Sequence, residues 1–418
     1  MVKHAFAGRL RMKILMSIAV ALCSAIVIGM LVGQSSAGAA QSHTPRSKQS
    51  KTISATYHYG AQSKTIKASY KFGPMSAVKN TRPALKLPCG PKLNAHDRTQ
   101  LCWDGTLTFT FQTDKEPVGV LTAELVQYIS LDPHSHVWTE YDTVTKTVAT
   151  GVTAPVSVNL MADCDNPCIA TALFSGVVTV GLSGTVVYID DVANGHYHTT
   201  PTYYLLNYVS PGYISDSEVP WTSPDRYRCD QGVATKGTGC VFPNFTPTLS
   251  LSVRQAGASA ALFKWAQDHM NKHWGLRGRG SPLTRASGAA GDDNRGIVCD
   301  KAFRRRGTVV VKGGKNDVDS CDEFPLAATQ QSGAASLKRA GRTGAACAQL
   351  QAARTSNRGS EAAQWGNVKV IGVPNYGAPC ARGHVPNRLN DSTGGSYIRF
   401  ISNQRLFVGE SFWVSVGP

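Results

Sequence analysis

The stretches GTLTFTFQT (105–113) and AELVQYISL (123–131) decide the fold class of the N-terminal half. In both, apolar and β-branched residues alternate with polar ones, as expected for a strand that buries one face. The same pattern recurs in three further runs, APVSVNLMA (154–162), GVVTVGLSGTVVYID (176–190) and PTLSLSVRQ (247–255). Many short strands separated by Gly, Pro, Asn and Asp predict an all-β, sandwich-like domain, which we place at residues 55–258.

A short internal repeat precedes these strands. QSKTISATYHYG (49–60) and QSKTIKASYKFG (62–73) share a period of 13 residues, and each alternates apolar and polar side chains before a glycine. Two copies are too few for a solenoid, so they predict a pair of strands. Residues 41–54, rich in Ser, Gln, Lys and Thr, are predicted to be disordered.

The first 40 residues have the pattern of an export signal. A basic segment ends at Lys13, an apolar run extends from Ile14 to Val32, and small residues follow up to Ala40. We therefore expect cleavage after Ala40, a secreted, extracellular protein and no stable membrane insertion after cleavage. An uncleaved membrane anchor is the alternative.

Cysteine usage agrees with export. Outside the apolar run the chain has ten cysteines, an even number, and an exported chain of this kind is typically disulfide-bonded. Because the cysteines are near neighbours in sequence, we predict the pairs Cys89–Cys102, Cys164–Cys168, Cys229–Cys240, Cys299–Cys321 and Cys347–Cys380. Structural zinc is the rival interpretation, but the chain contains no CxxC motif.

The remainder of the chain mixes helix and strand patterns. SAALFKWAQDHMNKHWG (259–275) carries an apolar stripe and predicts a helix that Ser259 caps. The Gly-, Ser- and Arg-rich residues that follow predict a flexible linker, so we assign helix and linker to residues 259–296. Residues 297–418 predict a small α+β domain, and the chain as a whole is therefore predicted to be α+β.

Charge is distributed unevenly. Formal net charge is +16, and from Gly275 onward there are 20 Lys and Arg against 10 Asp and Glu. Such a basic part predicts a polyanionic partner, of which nucleic acid is the first candidate. A basic surface that serves only solubility is the alternative.

Two adjacent acids stand out in this basic part. Asp322 and Glu323 follow Cys321 and precede Phe324-Pro325. Hydrolysis of a phosphodiester needs a divalent cation, and Mg²⁺ or Mn²⁺ prefers carboxylate oxygens, so both acids are candidate metal ligands. An acid pair in a turn, solvated or paired with Arg304–Arg306, is the alternative.

Further candidate residues follow later in the chain. His384, the only histidine after His273, could act as a base or contact phosphate in what the sequence predicts to be a loop. Asn390 precedes a Gly-Gly pair and could bind metal or phosphate. Arg399 and Arg405 lie in a predicted helical segment and could clamp phosphate.

Four segments give the C-terminal part a resemblance to a known family. They are NRGIVC (294–299), CDEFPLAATQQSG (321–333), VPNRLNDSTGG (385–395) and NQRLFVGESFWVSV (403–416). In this order they resemble the NucA/NucB-type deoxyribonuclease domain of secreted bacterial nucleases, in particular its actinobacterial branch. The chain departs from that family in a long insert at 334–384 and in Leu326 and Ala328, where Phe and Ser are more common.

The resemblance implies metal-dependent endonucleolytic cleavage of DNA with low sequence preference. The catalytic acid would be Asp322, next to Glu323, with Asn390 and Glu410 as candidates at later motif positions. His384 lies outside the motif. The N-terminal half resembles no family that we recognise, and a cell-wall or glycan ligand is a possible partner for it. The alternative function is a non-catalytic surface protein that binds extracellular DNA or glycan.

Overall fold

The computed structural model describes residues 64–73, 96–171, 173–215, 218–232, 237–310, 316–355 and 362–418. The predicted signal peptide, the predicted disordered segment, the first copy of the repeat and Cys89 lie outside them. Residues 61–418 form one compact unit. None of the helices in the described ranges has the length and apolar character needed to cross a bilayer.

The described chain is strand-rich and mixed with helices, in agreement with the predicted α+β class. Its strands are, in chain order, β1 (Lys64–Phe72), β2 (Gln100–Thr113), β3 (Glu116–Ser130), β4 (Val137–Gly151), β5 (Ser157–Cys164), β6 (Cys168–Thr171), β7 (Leu173–Val177), β8 (Leu182–Asp190), β9 (Tyr197–Thr200), β10 (Thr202–Val209), β11 (Ile214–Ser215), β12 (Val219–Thr222), β13 (Tyr227–Asp230), β14 (Gly239–Val241), β15 (Thr248–Ser252), β16 (Leu283–Thr284), β17 (Thr308–Val310), β18 (Asn316–Phe324), β19 (Ala348–Ala353), β20 (Asn367–Val370), β21 (Ala381–Pro386) and β22 (Ser411–Gly417). Its α-helices are α1 (Val253–His269), α2 (Gly288–Val298), α3 (Ala334–Arg339) and α4 (Asn387–Asn403).

Up to residue 241 the strands form three sheets. A seven-stranded sheet has the order β11-β1-β2-β3-β4-β8-β6, a four-stranded sheet the order β12-β10-β5-β7, and a small sheet the order β14-β13-β9. Alternation in β2 and β3 places every second side chain in one apolar core, to which strands of all three sheets contribute. The second copy of the sequence repeat is strand β1, as predicted.

A second apolar core surrounds α1. The predicted apolar stripe is confirmed, since Leu262, Phe263 and Met270 are buried. The predicted cap is wrong: the helix begins earlier, and Ser252, not Ser259, accepts a hydrogen bond from the Arg254 amide. A kink at Gly257 (φ 52°, ψ −119°) follows, and a β-carbon there would lie 2.8 Å from the Ala362 carbonyl oxygen.

One further prediction about the C-terminal part is wrong. The predicted flexible linker, residues 276–296, contains β16 and most of α2. The segment 334–384, predicted to be an insert relative to the NucA/NucB-type family, supplies β19 and β20 to a five-stranded sheet of order β17-β18-β21-β19-β20. Since β19 pairs with β21 next to β18, the segment is part of the sheet that carries the acid pair.

Four of the predicted disulfides are confirmed: Cys164–Cys168, Cys229–Cys240, Cys299–Cys321 and Cys347–Cys380. Cys347 and Cys380 directly precede β19 and β21, so their bond ties the starts of two parallel strands together. Four such pairs indicate an oxidising compartment.

A buried ionic network joins the β-rich half to the loop between α4 and β22. Arg405, 1% exposed, donates to an Asp230 carboxylate oxygen at 2.7 Å and to the Pro133 carbonyl at 2.8 Å. Arg98 and Arg228 each bind one Glu410 carboxylate oxygen at 2.5 Å. The two halves are therefore bonded to each other through charged groups that are largely withdrawn from water.

Replacing Arg405 by Ala leaves Asp230, which is fully buried, without this partner. We expect Arg405→Ala to lower the free energy of unfolding by about 3–5 kcal/mol in urea titrations. Arg399→Ala, an exposed arginine of α4, is the control and should change it by less than about 0.5 kcal/mol. Equal effects of the two variants would contradict a structural role for the network.

A second buried polar cluster lies within the β-rich core. Glu140 accepts hydrogen bonds from Tyr188 and Tyr204, each at 2.6 Å, while Gln127 donates to both Glu140 and Asp142 at 3.1 Å. Burial raises the pKa of Glu140 to about 7 and, together with the Glu140 charge, raises that of Asp142. The folded protein therefore favours protonated carboxyl groups here.

Because these pKa values are raised on folding, the unfolded chain loses its protons first as pH rises. Stability should therefore fall between about pH 4 and pH 7, by about 1.4 kcal/mol for each unit of pKa shift. Glu140→Gln should flatten this part of the profile measured by urea unfolding. Glu116→Gln, at an exposed position, should show the same slope of unfolding free energy against pH as the wild type.

Candidate functional site

The acid pair lies at the end of β18, on the floor of a cleft of about 530 Å³. One wall is α2, with Gly291 and Arg295, and the opposite wall is α4, with Asn390 and Arg399. The rest of the lining comes from α1, from the segment before α2 and from the loop after β18: Phe263, Arg285, Ala286, Ser287, Leu326, Ala327 and Ala328. Three elements that are distant in sequence therefore converge on the two carboxyl groups.

Disulfide and side-chain bonds hold α2 against the acid pair. The Cys299–Cys321 bond joins the end of α2 to the residue before Asp322. Asn294 donates to the Ala327 carbonyl at 2.9 Å, and Arg382 donates to the Val298 carbonyl at 2.9 Å. The C-terminal half of this wall is therefore held on both sides of Arg295.

Asn390 is held on the opposite wall by the strand that carries the acids. Its amide nitrogen donates to the Ser320 hydroxyl at 2.6 Å and to the Cys321 carbonyl at 2.9 Å. Both bonds use the nitrogen, so neither occupies the amide oxygen, and the side chain lines the cleft. Tyr397, two turns further along the wall, donates to the Ala328 carbonyl at 3.2 Å.

Asp322 is buried and incompletely bonded. One carboxylate oxygen accepts from the Glu323 amide at 2.9 Å, whereas the other is buried without a hydrogen-bond partner in the described part of the chain. The Ser259 hydroxyl, also buried, faces the carboxyl. Burial raises the Asp322 pKa, and Ser259 and Arg295 oppose the rise. An unsatisfied buried carboxylate costs free energy, so this oxygen is a candidate ligand atom.

Glu323 shares the cleft and faces a cation. Arg295 lies 3.3 Å from one carboxylate oxygen, and the other is 3.1 Å from the Cys299 sulfur, which has no proton to donate because it is in a disulfide. Burial raises the Glu323 pKa to about 7, against the attraction of Arg295 and together with the Asp322 charge. One of the two carboxyl groups therefore holds a proton readily near neutral pH.

The donor set suits a hard divalent cation. Three carboxylates, those of Asp292, Asp322 and Glu323, and the Asn390 amide line the same cleft, and carboxylate and amide oxygens are the ligands that Mg²⁺ and Mn²⁺ prefer. Cys299, Cys321 and Glu323 also lie close together, but the two sulfurs are bonded to each other and offer no thiolate. A thiolate zinc site is therefore excluded at this cluster.

Three predicted residues lie elsewhere. Glu410 binds Arg98 and Arg228, and Arg405 is buried against Asp230, so the structure gives both a role in joining the halves in place of the predicted catalytic and phosphate-binding roles. His384 lies on β21 and not in a loop, with Nδ1 2.5 Å from Asp319. It is not among the residues that line the cleft.

Sequence reasoning missed Arg285, Arg295 and Ser259. Arg285 and Arg295 fall in or at the edge of the segment predicted to be a linker, where an arginine carries no positional information. Arg285 donates to the Leu406 carbonyl, which connects the cleft to the loop held by the β-rich half. Ser259 was predicted only as a helix cap.

Comparison with known proteins gave no relative: no family model, no curated protein and no solved structure matches this chain. The resemblance to NucA/NucB-type nucleases therefore stays a prediction from the four sequence segments.

Replacing Asp322 by Asn removes a buried charge and keeps an oxygen for the Glu323 amide. We expect Asp322→Asn to raise the free energy of unfolding at pH 7 by about 1 kcal/mol. Asp300→Asn is the matched control and should lower the free energy of unfolding. The reason is that Asp300 pairs with Arg382 at 3.0 Å, and its pKa is lowered. The free energy of unfolding of both variants is measured in urea. A larger loss of stability for Asp322→Asn than for Asp300→Asn would contradict this prediction.

Proposed function

We propose that the chain is a secreted, metal-dependent DNA endonuclease, with a sandwich-like β half and a nuclease half that share one compact unit. The observation that carries the proposal is the buried pair Asp322–Glu323 on the floor of a cleft with arginines on its walls. Four segments of nuclease-like sequence agree with it. Export is supported by the signal-like N-terminus and by the disulfides.

Each part of the cleft has a role in this proposal. A divalent cation held by Asp322, Glu323 and Asn390 would polarise the phosphoryl oxygens and lower the pKa of an attacking water. Arg399, exposed on the wall, binds a DNA phosphate, and Arg285 and Arg295 offset the negative charge that builds in the transition state. In the alternative role for Glu323, with the cation held by Asp322 and Asn390, the Glu323 carboxyl would accept or return a proton next to the scissile bond.

Cleavage of supercoiled plasmid tests the proposal. Nicking should require Mg²⁺ or Mn²⁺ and stop with chelator, and Asp322→Ala should lower the rate about a hundredfold or more. Arg399→Ala should mainly raise KM. Asp268→Ala removes an exposed acid of α1 outside the cleft and should cut as the wild type does.

Two results would overturn the proposal. One is equal cleavage by wild type and Asp322→Ala. The other is tight DNA binding without cleavage under any divalent cation, which would favour the non-catalytic binding protein.

A further inference from the structure

A second pocket, of about 350 Å³, lies beyond the C-terminal end of α1. Met270 and Leu337, both buried, give it an apolar base, and Trp274 and Tyr376 line it with aromatic rings. It shares no lining residue with the cleft that holds the acid pair. Its volume is at the lower end of the range for small-ligand sites, about 300–1,000 Å³, so it fits a single small group.

The charged residues that line this pocket are all basic. Lys272 and Arg342, both exposed, line it, and no Asp or Glu does. Asp268, an acid one turn before the pocket on α1, is paired with Lys264 at 3.0 Å. The Lys272 ammonium lies 5.5 Å from the centre of the Trp274 ring, so cation and aromatic face occupy the same side of the pocket. An anion next to a flat ring is the complementary ligand.

The aromatic surface continues outside the pocket. Trp265 and His269 on α1 stack with centroids 4.9 Å apart and planes 12° apart. The rings of His269 and Tyr376 continue this row, with centroids 6.3 Å apart and planes 23° apart. Tyr376 is 44% exposed, so one ring of this near-parallel row is open to solvent beside the pocket.

We propose that this pocket is a second binding site, for single-stranded polynucleotide, in which one base stacks on Tyr376 and the flanking phosphates contact Lys272 and Arg342. Stacked bases on aromatic side chains next to cations are the common means of holding single strands without sequence preference. A neutral sugar would leave both cations without a partner, whereas a phosphodiester strand supplies an anion beside every base. The site binds the strand and contributes no reacting group.

The test uses the full chain, with chelator present so that no cleavage occurs. The probe is a fluorescein-labelled dT10 oligonucleotide, followed by anisotropy. Tyr376→Ala should weaken binding about fivefold or more, as expected for loss of one stacked base. Lys272→Ala and Arg342→Ala together should reduce the slope of log Kd against log salt. Lys301→Ala, at an exposed lysine outside the pocket, should leave the affinity unchanged.

Two comparisons separate this site from the cleft and from general charge attraction. The loss caused by Tyr376→Ala should persist in an Arg399→Ala background, because the two sites share no residue. An abasic strand of the same length should bind wild type more weakly than dT10 and should be insensitive to Tyr376→Ala. All five substituted positions are exposed, and thermal unfolding checks that each variant is folded.

The proposal is overturned if Tyr376→Ala binds dT10 as wild type does, or if the abasic strand or heparin binds as tightly as dT10. Those results would leave a surface that attracts polyanions through charge alone. Failure of plasmid cleavage with retained, Tyr376-dependent binding of dT10 would instead overturn the proposed nuclease function and keep this site.

Discussion

The ion pairs among Arg98, Arg228, Arg405, Asp230 and Glu410 are the constraint on which the rest of the structure depends. They join two apolar cores that have no other comparably charged connection in the described residues. Buried charges are costly without their partners, so loss of one member of this network destabilises the contact between the two halves. The β-rich half is therefore part of the frame that holds α4 and β22, and not a separate appendage.

The walls of the cleft are positioned by the loop that this ionic network holds. The loop fixed by Arg405 leads from α4 on one side to β22 on the other, and Arg285 reaches the same loop through the Leu406 carbonyl. The acid pair is then enclosed by a disulfide on one wall and by Asn390 on the other. Two carboxyl groups with raised pKa values are therefore kept in place by covalent and hydrogen bonds of the surrounding residues.

Local patterns predicted the parts of the fold that depend on local physics. Alternation in β2 and β3, the apolar stripe of α1 and four of the five near-neighbour cysteine pairs appear as expected. Structure that depends on contacts between distant residues was not predictable. The glycine-rich sequence of α2 does not predict a helix, and this segment packs against the loop after β18. Side-chain chemistry predicted Asp322, Glu323 and Asn390, which line one cleft. Side-chain chemistry alone did not show that Glu410, also a carboxylate, and Arg405, also an arginine like Arg399, form ion pairs between the two halves.

The pairing of β15 with β22 has a consequence for how the molecule is made. These parallel strands are hydrogen-bonded to each other, and the Ser252 hydroxyl reaches a carbonyl 166 residues later in the chain. A polypeptide that emerges from the ribosome or a translocation pore in order must hold β15 unpaired until nearly all of the intervening residues have appeared. Contacts of such long range form late, so the sheet that joins β15 to β22 is completed only after β22 has been synthesised.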